Sequence, residues 1–206
     1  MSALASLEQA LKEAREGSEL IESLTFDRIV AEGLDFSELS CKQLSFHACR
    51  FTGCDFSGAA FYDCGFTGCQ FTGCRFPVSY WQSCRLTICK GDGGDFRRGR
   101  FKDCTLRECM LRYANFIGSV WERCALSECS FTESALAECK ISKTTFQTVD
   151  FTGAELFRTP MKGTDLSSCT LDRISLSETC AELKGAKIHT SQAALVARIL
   201  GIEIVF

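Results

Sequence analysis

The sequence predicts a repeat solenoid wound from a five-residue unit, and three observations predict it. Counting by five from Phe26 to Leu176 gives 31 positions, of which 28 are Phe, Leu, Ile, Met or Trp. The exceptions are Ala31, Cys41 and Gly91. Thirteen of the 15 cysteines stand two residues before one of these positions. The register never slips, so any insertion has a length that is a multiple of five. Helices repeat every 3.6 residues and strands every 2, so a spacing of five walks around both. A fixed period held this long is the mark of stacked repeats.

The elements follow in order. Residues 2–16 fit an amphipathic helix, with Leu4, Leu7, Leu11 and Ala14 on one stripe and Gly17 as its stop. It is expected to cap the first coil; a partner-docking helix is the alternative. The repeat then takes over. Its densest stretch is CRFTGCDFSGAAFYDCGFTGCQFTGCRF (49–76), and its unit reads small–x–large–x–x. The triplet FTG recurs at 51–53, 66–68, 71–73 and 151–153, and its glycine suits a tight turn with positive φ. Gly91, in GDGGDF, breaks the run of large residues, so an underpacked or bent coil is expected there. That stretch lacks the lysine and following helix of a phosphate loop. Pro77 is expected to add a kink. Beyond Ala186, Thr190 or Ser191 can cap a short helix that Gly201 ends. Ile202, Ile204 and Phe206 then alternate as a short strand would.

The small–x–large–x–x unit resembles the pentapeptide-repeat family over about residues 21–185. The resemblance implies an all-β repeat solenoid, a right-handed quadrilateral β-helix in which each unit is one side of a square. Four units then make a coil of 20 residues, and about eight coils at ~4.8 Å give a rod of roughly 40 Å. The resulting organisation is an N-terminal capping helix (1–20), the β-helix (21–186) and a C-terminal segment (187–206) containing a second helix. Period 20 would stack Cys49, Cys69, Cys89, Cys109 and Cys129 in one column. Cys64, Cys84, Cys104 and Cys124 would form another. These cysteines read as small core residues; metal or redox chemistry is the alternative, and no histidine completes a zinc set.

The tail also resembles the C-terminal end of the Qnr subgroup, in Leu183, Gly185, Gln192–Ala193, Leu195 and Leu200-Gly201-Ile202. GDFRRGRF (94–101) and LRYANF (111–116) look like Qnr segments too. MfpA and AlbG share that plan. The resemblance implies a DNA-mimicking protein that binds DNA gyrase or topoisomerase IV and protects it from quinolones or gyrase-poisoning toxins. It further implies a tail-to-tail homodimer, for which Leu195, Val196, Ile199, Leu200, Ile202 and Ile204 are the candidate contacts. The unbroken register leaves no room for the projecting loops of Qnr proteins from Gram-negative bacteria. A scaffold for some other protein partner is the alternative function.

Charge narrows the partners. The chain carries 23 basic and 26 acidic residues. A nucleic-acid binder usually shows a basic excess, so no direct nucleic-acid contact is expected. Glu122, Glu128, Glu133 and Glu138 form the best local negative candidate for facing a topoisomerase. Arg97, Arg98, Arg100 and Lys102 read with Asp92, Asp95 and Asp103 as a mixed solvated face. No run of 18 apolar residues exists, and MSALASLEQALKEAREG has no apolar signal core. A cytoplasmic, non-enzymatic protein without membrane contact or cofactor is expected.

Overall fold

The computed structural model describes residues 3–17 and 19–205. Each large repeat residue is the buried centre of a short extended segment, with its neighbours turned outward, as in Thr25–Asp27 and Arg50–Thr52. Partners lie twenty residues apart and parallel: Phe26↔Phe46 and Phe46↔Phe66. Four units therefore complete one coil, and the chain is a four-sided β-helix. The first face stacks seven strands from Leu20–Glu22 to Lys140–Ser142. The second stacks seven from Thr25–Asp27 to Thr145–Gln147. The third has three strands, Val30–Glu32, Arg50–Thr52 and Gln70–Thr72, and continues as single bridges to Thr170. The fourth is bridges alone, eight levels from Asp35 to Ser175.

The corners explain the FTG triplets. The second residue after nearly every centre has left-handed backbone, as at Gly53 (φ 60°). Most corners are not glycine: Glu38 (φ 59°) and Val78 (φ 60°) adopt the same shape. Their N–H groups donate to the next coil, Glu38 N to Ser57 O at 2.9 Å and Val78 N to Arg97 O at 2.8 Å. The ladder holds the corner in place whatever the side chain.

Inside, aromatic rings stack coil upon coil. Phe36, Phe56, Phe76 and Phe96 follow one another at 4.6 Å between centroids. The cysteines fill the small position, and all 15 are buried and free. Their thiols donate across coils, Cys64 Sγ to Cys41 O and Cys84 Sγ to Phe61 O, each at 3.4 Å. Burial pushes the Cys41 and Cys139 thiols up from their ordinary pKa. Where tryptophan replaces phenylalanine, serine replaces cysteine: Trp81 Nε1 donates to Ser79 Oγ and Trp121 Nε1 to Ser119 Oγ, both at 2.9 Å. A buried indole N–H needs an acceptor, and the hydroxyl supplies it.

Two expectations are corrected. Gly91 neither bends nor empties its coil. Its ladder runs on through Gln70↔Lys90↔Met110, and a Cβ there would meet Leu111 Cδ2 at 3.2 Å. Larger neighbours have taken the space. Pro77 also leaves the ladder intact. It stands in the column of Ser57, Arg97 and Ile117, whose N–H groups donate to the side chains of Asp55, Asp95 and Asn115. The missing N–H was never part of the stacking.

The stacking does open once. On the first two faces it stops at Lys140–Ser142 and Thr145–Gln147, while Asp150↔Thr170 and Glu155↔Ser175 carry the other two onward. Pro160 stands where the unit should donate an N–H to the coil below, as Lys140 N does to Ser119 O at 2.9 Å. An apolar slot lined by Trp121, Leu126, Ile141, Phe146 and Met161 lies there, and Ile141 is only half-buried. The next coil pairs instead with the tail, Met161 N to Glu182 O and Leu166 N to Lys187 O at 2.8 Å.

Helix α1 (Ala3–Glu16) covers the first coil with Leu7, Leu11 and Ala14 buried. Ser2, the first residue of the expected helix, lies outside the described residues.

Candidate interaction surfaces

The C-terminal helix α2 spans Thr190–Ile199. Its N-cap is His189, not Thr190 or Ser191: Nδ1 of His189 accepts from Ser191 N at 3.2 Å. Gln192 returns the contact, its Oε1 accepting from His189 N at 2.6 Å. The same side chain pins the helix to the rod, Nε2 donating to Leu166 O at 3.0 Å and Cys169 O at 2.6 Å. Gln192, three residues after the cap, was the available signal, since a capping box pairs those two positions. Gly201 (φ 75°) ends the helix as expected, with Ile202 N donating to Ala197 O at 2.9 Å. No strand forms over 202–205, and Phe206 lies outside the described residues.

The six apolar candidates divide. Leu195 and Ile199 pack partly buried against the core. Val196 and Ile204 are half-buried. Leu200 is 46% and Ile202 54% exposed, facing away from the rod with Val205.

The four glutamates share a level but not a side. Glu122 lies on the first face, while Glu128, Glu133 and Glu138 mark the corners after the second, third and fourth faces. Glu122 pairs with Arg123. Glu133 meets Arg173 at 3.5 Å and Glu138 meets Arg158 at 3.4 Å. The sequence run is thus a ring around the rod, largely compensated.

The basic run is mixed, as its sequence suggests. Arg97 pairs with Asp95 at 2.7 Å, Asp92 with Arg112, and Asp103 with Arg123 at 2.7 Å. The hydrogen-bonded guanidinium of Arg97 holds the Asp95 carboxyl below its usual range. Sequence reading missed Glu182, a buried carboxylate that accepts from Arg158 N at 2.9 Å and Ser177 Oγ at 2.8 Å, tying down the last coil. Ser177 is five residues away, but the bond that ties Glu182 to the preceding coil, from Arg158 N, spans 24 residues and leaves no local mark. Among the described residues, no group of three His, Cys, Asp or Glu side chains could hold a metal ion. No described helix is long and apolar enough to cross a membrane.

Comparison with known proteins agrees with this geometry. The family model described as "Pentapeptide repeat region" matches residues 59–136, and "Pentapeptide repeats (8 copies)" matches 40–76 and 129–167. The chain belongs to the pentapeptide-repeat family. No curated protein matches it. Among solved structures, a trypsin-treated variant of QnrB1, a plasmid-mediated fluoroquinolone resistance protein, is 21% identical with a TM-score of 0.40. That match covers 87% of this chain and 99% of that one. Full-length QnrB1 is 20% identical with a TM-score of 0.37, covering 86% and 100%. HetL, involved in heterocyst differentiation regulation in the cyanobacterium Nostoc, is 12% identical with a TM-score of 0.33, covering 87% and 95%.

Proposed function

We propose that this protein is a dimeric rod that binds DNA gyrase or topoisomerase IV and protects the enzyme from quinolones or gyrase-poisoning toxins. The observation that carries this reading is the tail. The residues through which it resembles Qnr do visible work: Gln192 docks α2 on the last coil, Leu195 packs beneath it, and Gly201 ends it. The same segment leaves Leu200 and Ile202 exposed at one end of the molecule. An apolar end is suited to a two-fold contact with a second copy. Two rods joined there would span about 80 Å, the reach of a duplex segment.

A second reading, a scaffold for another protein, draws on the charge. The glutamates are spread around the rod and mostly paired, so no single side offers the negative field of a DNA mimic. The experiment is a gyrase supercoiling and cleavage titration, with and without a fluoroquinolone or a peptide poison. Restored supercoiling with less cleaved DNA supports protection. Inhibition alone supports mimicry without protection. No effect with several poisons rejects the topoisomerase reading in favour of the scaffold.

A further inference from the structure

We propose that the edge between the fourth and first faces, over levels 76–118, is a contact surface for an acidic segment of a partner protein. This surface is separate from the tail, and it borders the glutamate ring where Lys102 lies in register with Glu122. It starts from a residue that the fold does not require. Val78 occupies a left-handed corner at φ 60° and is 62% exposed. Left-handed backbone crowds a β-branched side chain, and burial gives nothing back here. One coil along, the same corner is Arg98, and one further it is Gly118, whose Cβ position would lie 3.6 Å from Arg98 Cγ. Pro77, Val78, Arg97, Arg98, Asn115 and Ile117 line one open groove of about 460 Å³. Ile117 is 36% exposed.

Round the corner, on the first face, Arg100 lies in register with Tyr80, and Lys102 with Gln82. The Tyr62 and Tyr80 rings sit 5.7 Å apart beside them. Among the described residues, Arg98, Arg100 and Lys102 form no ion pair. Of the carboxylates nearby, Asp95 pairs with Arg97, and Asp103 and Glu122 both pair with Arg123, Glu122 lying in register with Lys102. Two uncompensated cations, Arg98 and Arg100, therefore flank an exposed aliphatic ledge with tyrosines at its side, while Lys102 stands between Asp103 and Glu122. Arginine and tyrosine around an apolar centre are typical of protein contacts. The sign of the uncompensated charge selects an acidic partner. Its carboxylates would reach Arg98 and Arg100, and an aliphatic side chain would cover Val78 and Ile117.

The test uses the full chain and a fluorescent synthetic peptide of repeating Glu-Glu-Leu-Gly units, read by anisotropy. The wild-type protein should bind it, more weakly as salt rises. Arg98→Glu with Arg100→Glu should weaken binding about tenfold or more. Arg50→Glu with Arg85→Glu, exposed cations on other faces, should change it less than about twofold. Val78→Gly should weaken binding about threefold while leaving the thermal midpoint unchanged or higher, because it removes crowding at the corner. That variant separates a binding role from a folding one. The proposal is overturned if folded wild-type protein does not bind the peptide, if both charge reversals weaken it alike, or if Val78→Gly binds as well as wild type. Tighter binding of a short DNA duplex than of the peptide at Arg98 and Arg100 would also overturn it, making the surface a nucleic-acid one.

Discussion

The indole of Trp81 shows how one side chain can dictate another in this fold. Its N–H has a single buried acceptor, the Ser79 hydroxyl at 2.9 Å, and Ser79 is fully buried. Ser79→Ala should strand that donor and cost about 1–3 kcal/mol, read as a lowered thermal midpoint. An unchanged midpoint would mean that the indole finds another partner. The opposite sign is expected at Ile88, a β-branched residue at a left-handed corner (φ 56°) with 51% exposure. Ile88→Gly removes the crowding of a side chain that buries little. It should stabilise the rod by about 0.5–1 kcal/mol in denaturant titration, since left-handed backbone costs a side chain ~1–2 and glycine's added freedom returns ~0.5–1. A loss of stability would show that Ile88 packs more than its exposure implies. The large residues and their buried partners were legible because the period is unbroken. The Trp–Ser coupling was not, because nothing in a period says which small residue a given ring needs.

At the scale of the element, a residue's place in the five-residue unit matters more than its identity. The two prolines make the point. Pro77 follows a centre, where the N–H serves a turn, and the ladder is unaffected. Pro160 precedes a centre, where the N–H would bond the coil below, and the first two faces part there. Composition alone weights them equally, so sequence reading expected the kink at the wrong proline. A coil joined on two sides of four should open more readily than its neighbours. We expect amides of 140–148 to exchange with deuterium markedly faster than those of 100–108, one of the fully paired levels. Equal protection would mean that the slot at Ile141 is closed in solution. The tail follows the same lesson: its helix and glycine stop were readable, but its cap falls on His189 because the capping-box partner, Gln192, is fixed by contacts 23 and 26 residues away.

Across the whole molecule, aspartates set before the centres close turns on themselves and on neighbouring arginines. Hydrogen bonds hold Asp35, Asp95 and Asp165 below the usual carboxylate range, from the Ser37 side chain, the Arg97 guanidinium and the Ser167 side chain respectively. A depressed folded pKa contributes stability that is present above the unfolded value and lost as pH falls through the folded one. The rod should therefore hold its midpoint from neutral pH down to about 5 and lose it below about 4. A loss beginning near pH 6 would point to other groups. The proposed dimer rests on the tail. Sequence reading put six apolar residues in one interface, because a short helix shows its apolar stripe but not what the stripe covers. Leu195 and Ile199 already face the rod, so replacing them would detach α2 rather than split a dimer. Leu200 and Ile202 are the outward pair, and Gln192 anchors the helix without them. Leu200→Asp with Ile202→Asp should leave the thermal midpoint within about 2 °C, as surface changes usually do. If the tail joins two copies, wild-type protein scatters light at twice the 22.8 kDa chain mass and the variant at the single mass. Paired charges cannot be buried across a two-fold axis without a partner, so the contact would be lost rather than weakened. A variant that remains dimeric would place the interface on a face of the rod.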